Sequence, residues 1–191
     1  PTAAAIQPIA TDAGVPMIGA FTGAEFLREP YKPLVMNVRA TYFQETEAMV
    51  EHLTKDLGYT RIGIMYQDDA YGQAGLAGLQ RALEKRNMKL AGEGTYERNT
   101  VAVKSALLAV RKAKPEAVVM IASYKSAAAF IKLARQIKFD PTFVNISFVG
   151  SDALARELGS EGGGVVVTQV VPFPFDTRIP VVARYQASLK Q

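Results

Sequence analysis

The sequence contains no cysteine and a single histidine, His52. The first absence excludes disulfide scaffolds, thiolate zinc sites and cysteine nucleophiles, while leaving the redox compartment open. The second leaves one imidazole for any general base. His52 falls inside a helical pattern over 42–57, where a surface or half-buried role outweighs a catalytic one. No apolar run reaches the roughly 18 residues needed to cross a bilayer. The longest near the end, 164–171, is interrupted by Thr168 and Gln169. Charge of one sign is scant too, since 22 basic against 18 acidic side chains leave a formal +4. The basic residues are dispersed through helical patterns, as at Arg81, Lys85, Arg86 and Lys89, and read as solvated helix faces. A nucleic-acid surface needs a concentrated basic stripe with stacking aromatics, so no nucleic-acid partner is expected.

What is present is a chain of 191 residues, 49% hydrophobic, enough for one domain core and part of a second. Short apolar runs at 61–66, 89–96, 117–122, 142–149 and 165–171 read as strands. Between them, 72–87, 101–114, 124–138 and 152–158 have helical period, and the amphipathic helix 42–57 precedes the first run. Residues 117–122 are apolar throughout and β-branched at Val118, Val119 and Ile121, the signature of a strand buried on both faces. This alternation predicts an α/β fold, an open parallel sheet with helices on both faces. Gly72, Gly75 and Gly78, three residues apart, predict a helix lying close on that sheet.

The first forty residues supply a helix over 2–13, with Thr2 as N-cap and Gly14 at its end, and strands over 15–21 and 34–39. These are too few to bury a core of their own. The expected organisation is a partial lobe over 1–41, a complete α/β lobe over 42–171 and a crossover over 172–191. The chain opens at Pro1, inside a helical pattern, and is expected to be an excised piece of a longer protein.

In open α/β sheets, ligands bind beyond the carboxyl ends of the strands. That rule gathers Asp68, Asp69 and Tyr71 after the first main strand, Ser123 and Tyr124 after the third, and Ser151 and Asp152 after the fourth. Enzyme chemistry finds little support there. The stretch "VGSDA" (149–153) lacks the G-x-S-x-G frame of a nucleophile elbow. No G-x-x-x-x-G-K occurs, and "GEGTYE" (92–97) lacks the third glycine of a dinucleotide fingerprint. Asp68 and Asp69 could hold a divalent ion in a metal-dependent α/β enzyme, but two acids fall short of about six oxygen ligands. Capping of helix 72–87 by one of the pair is favoured. Two tyrosines at neighbouring loop tips suit a concave wall for a small ligand, so binding is favoured over catalysis, with no cofactor and no metal.

Five stretches in order, "GVPMIGAFTGAEFL", "NVRATYFQETEAMVEHL", "RIGIMYQDDAYGQAG", "AVVMIASYKSAAAFIKLAR" and "FVNISFVGSDAL", together resemble the type I periplasmic binding proteins of the branched-chain amino acid kind. The resemblance covers nearly all of the chain. It implies two α/β lobes that close over a ligand, a periplasmic or extracellular location, and a membrane permease of an ABC transporter as partner. It implies too that the first strands of lobe one and its carboxyl-terminal return lie outside this chain. By the same resemblance, the turn Gly19-Ala20-Phe21-Thr22-Gly23 holds an amino acid's carboxylate and ammonium, with Ala20 and Thr22 in the contact roles alongside Phe21 and Gly23. Backbone N–H groups and a hydroxyl at such a turn make an anion site. Tyr71 and Tyr124 match aromatic ligand contacts. Asp152 matches an ammonium-binding acid, one carbon shorter than the glutamate of the close amino-acid binders, with Ser151 beside it as an alternative contact. A ligand-sensing receptor ectodomain is the alternative function on the same fold.

Overall fold

The structure is a computed structural model that describes residues 2–190. Its centre is a five-stranded parallel sheet. Strands β3 (Ile62–Gln67), β4 (Gly92–Tyr96), β5 (Ala117–Ile121), β6 (Thr142–Asn145) and β7 (Val166–Val167) lie in the order β4-β3-β5-β6-β7. The two central strands, β3 and β5, are buried at every position, as their unbroken apolar runs require.

Strand periodicity separates two cores. Ala117, Val119 and Ile121 of β5 join Ile62 and Ile64 of β3 under α2 (Tyr42–Glu51) and α3 (Ala70–Glu84). Val118 and Met120 face the other side, with Met65, against α4 (Lys104–Lys112), α5 (Tyr124–Gln136) and α6 (Ser151–Leu158). Because successive side chains point to opposite faces, one strand supplies both layers.

Of the three glycines expected against the sheet, Gly72 and Gly75 face it and let α3 lie close, while Gly78 faces α2. A Cβ on Gly75 would come within 2.6 Å of the Ile121 side chain, and one on Gly78 within 2.6 Å of Thr46 Oγ1 on α2. The expected helix over 42–57 is α-helical only to Glu51. It continues as a π-helical stretch, His52–Asp56, in which the Thr54 hydroxyl donates to the Val50 carbonyl at 2.6 Å. Such back-bonding competes with the helical ladder and bends it.

Before the sheet come α1 (Thr2–Asp12), β1 (Met17–Ile18) and β2 (Val35–Met36), the last two forming a separate parallel pair. Thr2, expected as a cap, is the first residue of α1, while Gly14 closes that helix at φ 66°. The strands expected over 15–21 and 34–39 shrink to two residues each. Pro16 has no N–H to give a ladder, and Gly19 turns the chain at φ 65°. The strand expected over 142–149 ends at Asn145, and the chain turns into a 3-10 segment, Ser147–Val149. The strand expected over 165–171 keeps only Val166 and Val167, which pair with Val144 and Asn145. The helical pattern near the carboxyl terminus is α7 (Pro180–Ser188).

Candidate ligand-binding site

All five strands of the main sheet run parallel, so the loops after β3, β5 and β6 share one rim. A cavity of about 580 Å³ opens beside that rim, between the start of α3 and the turn after β1. Four stretches build its wall: the first turns of α1, residues 20–26 after β1, the start of α2 and the start of α3. Met17 of β1, Arg98 and Phe148 complete it.

Ala20, Phe21 and Thr22 reach the cavity together with Tyr71. The Phe21 ring stands 4.9 Å from that of Phe148, which lies 4.7 Å from Tyr71. Tyr42 meets Tyr71 edge-on at 5.8 Å. Edge and tilted arrangements of this kind are favoured by the ring quadrupoles. Tyr71 is buried, and its hydroxyl donates across 3.5 Å to the Ala122 carbonyl. Burial, with smaller contributions from nearby Tyr42, Tyr96, Glu45 and Asp69, holds its phenol well above the ordinary value, so it presents a neutral ring. Burial also raises Tyr42, partly offset by its hydrogen bond with Thr22, whose hydroxyl donates to the Tyr42 oxygen at 3.2 Å.

The remaining expected site residues lie outside this lining. Gly23 packs behind it, with its carbonyl accepting from Tyr42 N at 2.8 Å; a Cβ there would meet Tyr42 at 2.9 Å. Tyr124 is half-buried against the core on the opposite face of the sheet. Ser151 begins α6 and accepts from Gln169 Nε2 at 2.6 Å, and Asp152 is exposed in the same turn. The acid pair divides as capping predicts. Asp69 accepts from the backbone N–H groups of Tyr71 at 2.9 Å and Gly72 at 3.2 Å, and from Gln67 Nε2 at 2.7 Å. Asp68 is exposed.

Tyr42, Phe148, Arg98 and Glu25 are cavity residues that the sequence pattern did not single out. Phe148 was hidden by the expected strand over 142–149, and Tyr42 by its place at a helix start. Arg98 is 48% exposed, with its nearest carboxylate, Asp69, at 4.0 Å. Glu25 Oε1 is buried without a hydrogen-bond partner among the described residues. The lining otherwise consists of alanines, aromatic rings, Ile6, Met17 and two threonines, and it holds no serine, histidine or cysteine. A concave, mostly apolar wall with a few placed polar groups is the usual form of a small-molecule site, and the volume falls in its ordinary range.

A family model for periplasmic binding proteins matches residues 1–191, and the chain belongs to that family, whose members are periplasmic or extracellular. Among solved structures, a possible leucine/isoleucine/valine-binding protein from Rhodopirellula baltica is 38% identical, with a TM-score of 0.88 over 96% of this chain and 50% of its own. A substrate-binding periplasmic protein from Ralstonia solanacearum is 27% identical, with a TM-score of 0.85 over 99% of this chain and 54% of its own. A branched-chain amino acid ABC transporter protein from Thermus thermophilus with bound valine shares the fold. It has a TM-score of 0.73 at 15% identity, over 85% of this chain and 42% of its own. The chain thus spans about half the length of the structures it matches. No curated protein matches it.

Proposed function

We propose that this chain carries the ligand-binding centre of a solute-binding protein that delivers an amino acid or a similar small carboxylated metabolite to an ABC permease. One observation carries the reading: a cavity of about 580 Å³ whose apolar wall joins the turn after β1 to the rim of the main sheet, with no nucleophile and base beside it. On this reading, residues 1–41 belong to one lobe, 42–171 form the other and 172–191 return toward the first. Ala20 and Thr22 meet the ligand's carboxylate and ammonium, the Thr22 hydroxyl acting as an acceptor because its proton goes to Tyr42, with Arg98 as a nearby cation, and Tyr71 covers the apolar body. Tyr124, Ser151 and Asp152 stand on the same sheet rim, outside the cavity, and approach the ligand when the lobes close by a hinge. The relatives named for leucine, isoleucine and valine binding support the apolar amino acids as first candidates.

The test is a thermal-shift and calorimetric titration with leucine, isoleucine, valine and their deaminated analogues. A ligand at about a hundredfold over its Kd stabilises the folded state by about 2.7 kcal/mol, a shift readily seen. Arg98→Ala is expected to weaken binding without lowering the melting temperature. Absence of a response to every compound would remove the reading.

A further inference from the structure

The most heavily bonded pair of charges among the described residues lies outside the cavity. Arg39, between β2 and α2, pairs with Glu45 of α2 at 2.8 Å, and the two side chains are only 5% and 2% exposed. The Glu45 carboxylate also accepts from Ser147 N at 2.5 Å, from Ser147 Oγ at 3.0 Å and from the Thr168 hydroxyl. The Arg39 guanidinium donates onward to the Phe21 carbonyl at 2.7 Å, the Ala40 carbonyl at 3.0 Å and Ser147 Oγ at 3.2 Å. Four segments far apart in sequence converge on one pair of opposite charges. Two buried charges are tolerated only when such partners occupy their bonding capacity.

The groups held there are the backbones of two cavity rings. Arg39 fixes the carbonyl of Phe21, and Glu45 fixes the amide of the residue before Phe148. Those rings touch at 4.9 Å, and Phe148 rests on Tyr71. Little else constrains Phe21, which is 65% exposed and follows a strand of two residues. The Arg39 guanidinium also stands 5.4 Å from the ring centroid of Tyr42, a third cavity aromatic. Neither Arg39 nor Glu45 lines the cavity.

We infer that Arg39 and Glu45 are positioning residues of the ligand site: a buried ion pair that holds the Phe21 turn in register with the Phe148 turn, so that the two rings pack together in the cavity wall. The pair sets ligand affinity without touching the ligand. Thr168 extends the clasp to the segment leaving β7. The inference rests on the cavity being the ligand site, but the ring placement is testable without a ligand. Arg39 reaches its acceptors from Nε, Nη1 and Nη2, a planar spread of donors that the single ammonium nitrogen of lysine cannot span, so Arg39→Lys should fail despite keeping its charge.

The sequence has no tryptophan, so Phe148→Trp places a single tryptophan, excitable apart from the tyrosines, in the wall. In that background, Glu45→Gln, Arg39→Lys and the milder Thr168→Val are each compared with Phe148→Trp alone for emission maximum and acrylamide quenching. Leucine affinity is measured by calorimetry in the same three variants without the tryptophan. The expected result is a red-shifted, more quenchable emission in Glu45→Gln and Arg39→Lys, and a smaller change in Thr168→Val. With it should come about a tenfold loss of leucine affinity, the size of one lost charge-assisted hydrogen bond. If the variants melt earlier but keep the parental emission and affinity, the pair only stabilises the fold and the inference is wrong. Should Glu45→Gln fail to fold, Thr168→Val and Arg39→Lys decide by the same two readouts. If leucine and its analogues bind no variant and not the parent, the proposed ligand is wrong, and the emission alone decides the clasp.

Discussion

Gly72 offers a test in which two physical effects carry opposite signs. It lies in the first turn of α3, and replacing a helical glycine with alanine ordinarily stabilises by about 1 kcal/mol. Here a Cβ would stand 1.8 Å from the Gln67 carbonyl oxygen and 2.8 Å from its carbon, and real Cβ contacts essentially never fall under 3.0 Å. The obstacle is the backbone of β3, which no side-chain rotation relieves, so the turn itself must move by about 1.2 Å. That movement breaks the Asp69 cap, which bonds the Gly72 N–H at 3.2 Å and the Tyr71 N–H at 2.9 Å. Cap loss costs about 1 kcal/mol and overpacking about 1–3 kcal/mol. Set against the propensity gain, Gly72→Ala should lose about 2 kcal/mol net, a fall in melting temperature of about 4–8 °C for a chain of this size. Thermal unfolding followed by circular dichroism reads it directly. A variant melting at or above the parent temperature would show that propensity wins and that α3 does not approach β3 so closely.

Other expectations follow from single groups. Asp69→Ala should lower stability by about 1 kcal/mol in urea unfolding, and Asp69→Ser much less, whereas exposed Asp68→Ala should stay within about 0.5 kcal/mol. Equal losses at 68 and 69 would contradict the capping assignment. Burial raises the Tyr71 phenol above its unfolded value, so the folded state keeps a proton that the unfolded chain releases near pH 10. The stability linked to that proton is complete below pH about 10 and falls as pH rises through the folded value. Tyr71→Phe should therefore flatten the alkaline decline measured by urea midpoints from pH about 8 to 11, leaving the parts due to Tyr42 and Tyr66, which burial also raises. An unchanged decline would place the Tyr71 hydroxyl in water.

The elements legible in the sequence were those whose pattern is set by burial within the main sheet. The run over 117–122 appears as β5, Ala117–Ile121, and that over 61–66 as β3, Ile62–Gln67. The helix expected from 124 is α5, Tyr124–Gln136. Long-range polar contacts explain one of the main departures. The apolar run "FVNISFV" continues past Asn145, but the Ser147 N–H goes to Glu45, 102 residues away, instead of to a neighbouring strand. No local pattern signals that exchange, and it carries Phe148 into the cavity. Site legibility divides along the same line. Ala20, Phe21 and Thr22 were implied by the family resemblance and Tyr71 was marked by the strand-end rule, and all four line the cavity; Arg98 and Glu25 depend on tertiary placement alone.

The chemistry of the ligand is constrained by which polar groups still have bonding capacity. The Asp69 carboxylate is committed to the start of α3, and the Tyr42 oxygen accepts from Thr22. Thr22 retains acceptor capacity beyond the 3.3 Å bond from Ala24 N, Arg98 has no carboxylate closer than 4.0 Å, and Glu25 Oε1 has no partner among the described residues. A wholly apolar ligand would take water from Thr22 and Arg98, leave Glu25 Oε1 unmet and return nothing, at about 1–3 kcal/mol for each group left unsatisfied. A wholly polar ligand, such as a sugar, would set its hydroxyls against six aromatic rings that can accept few of them. On the proposed reading, both penalties vanish only for a molecule with a charged end and an apolar body. That is the form of leucine, isoleucine and valine, and it is why their deaminated analogues are the informative comparison: they keep the carboxylate and the body, and remove only the group that Glu25 or Asp152 would meet.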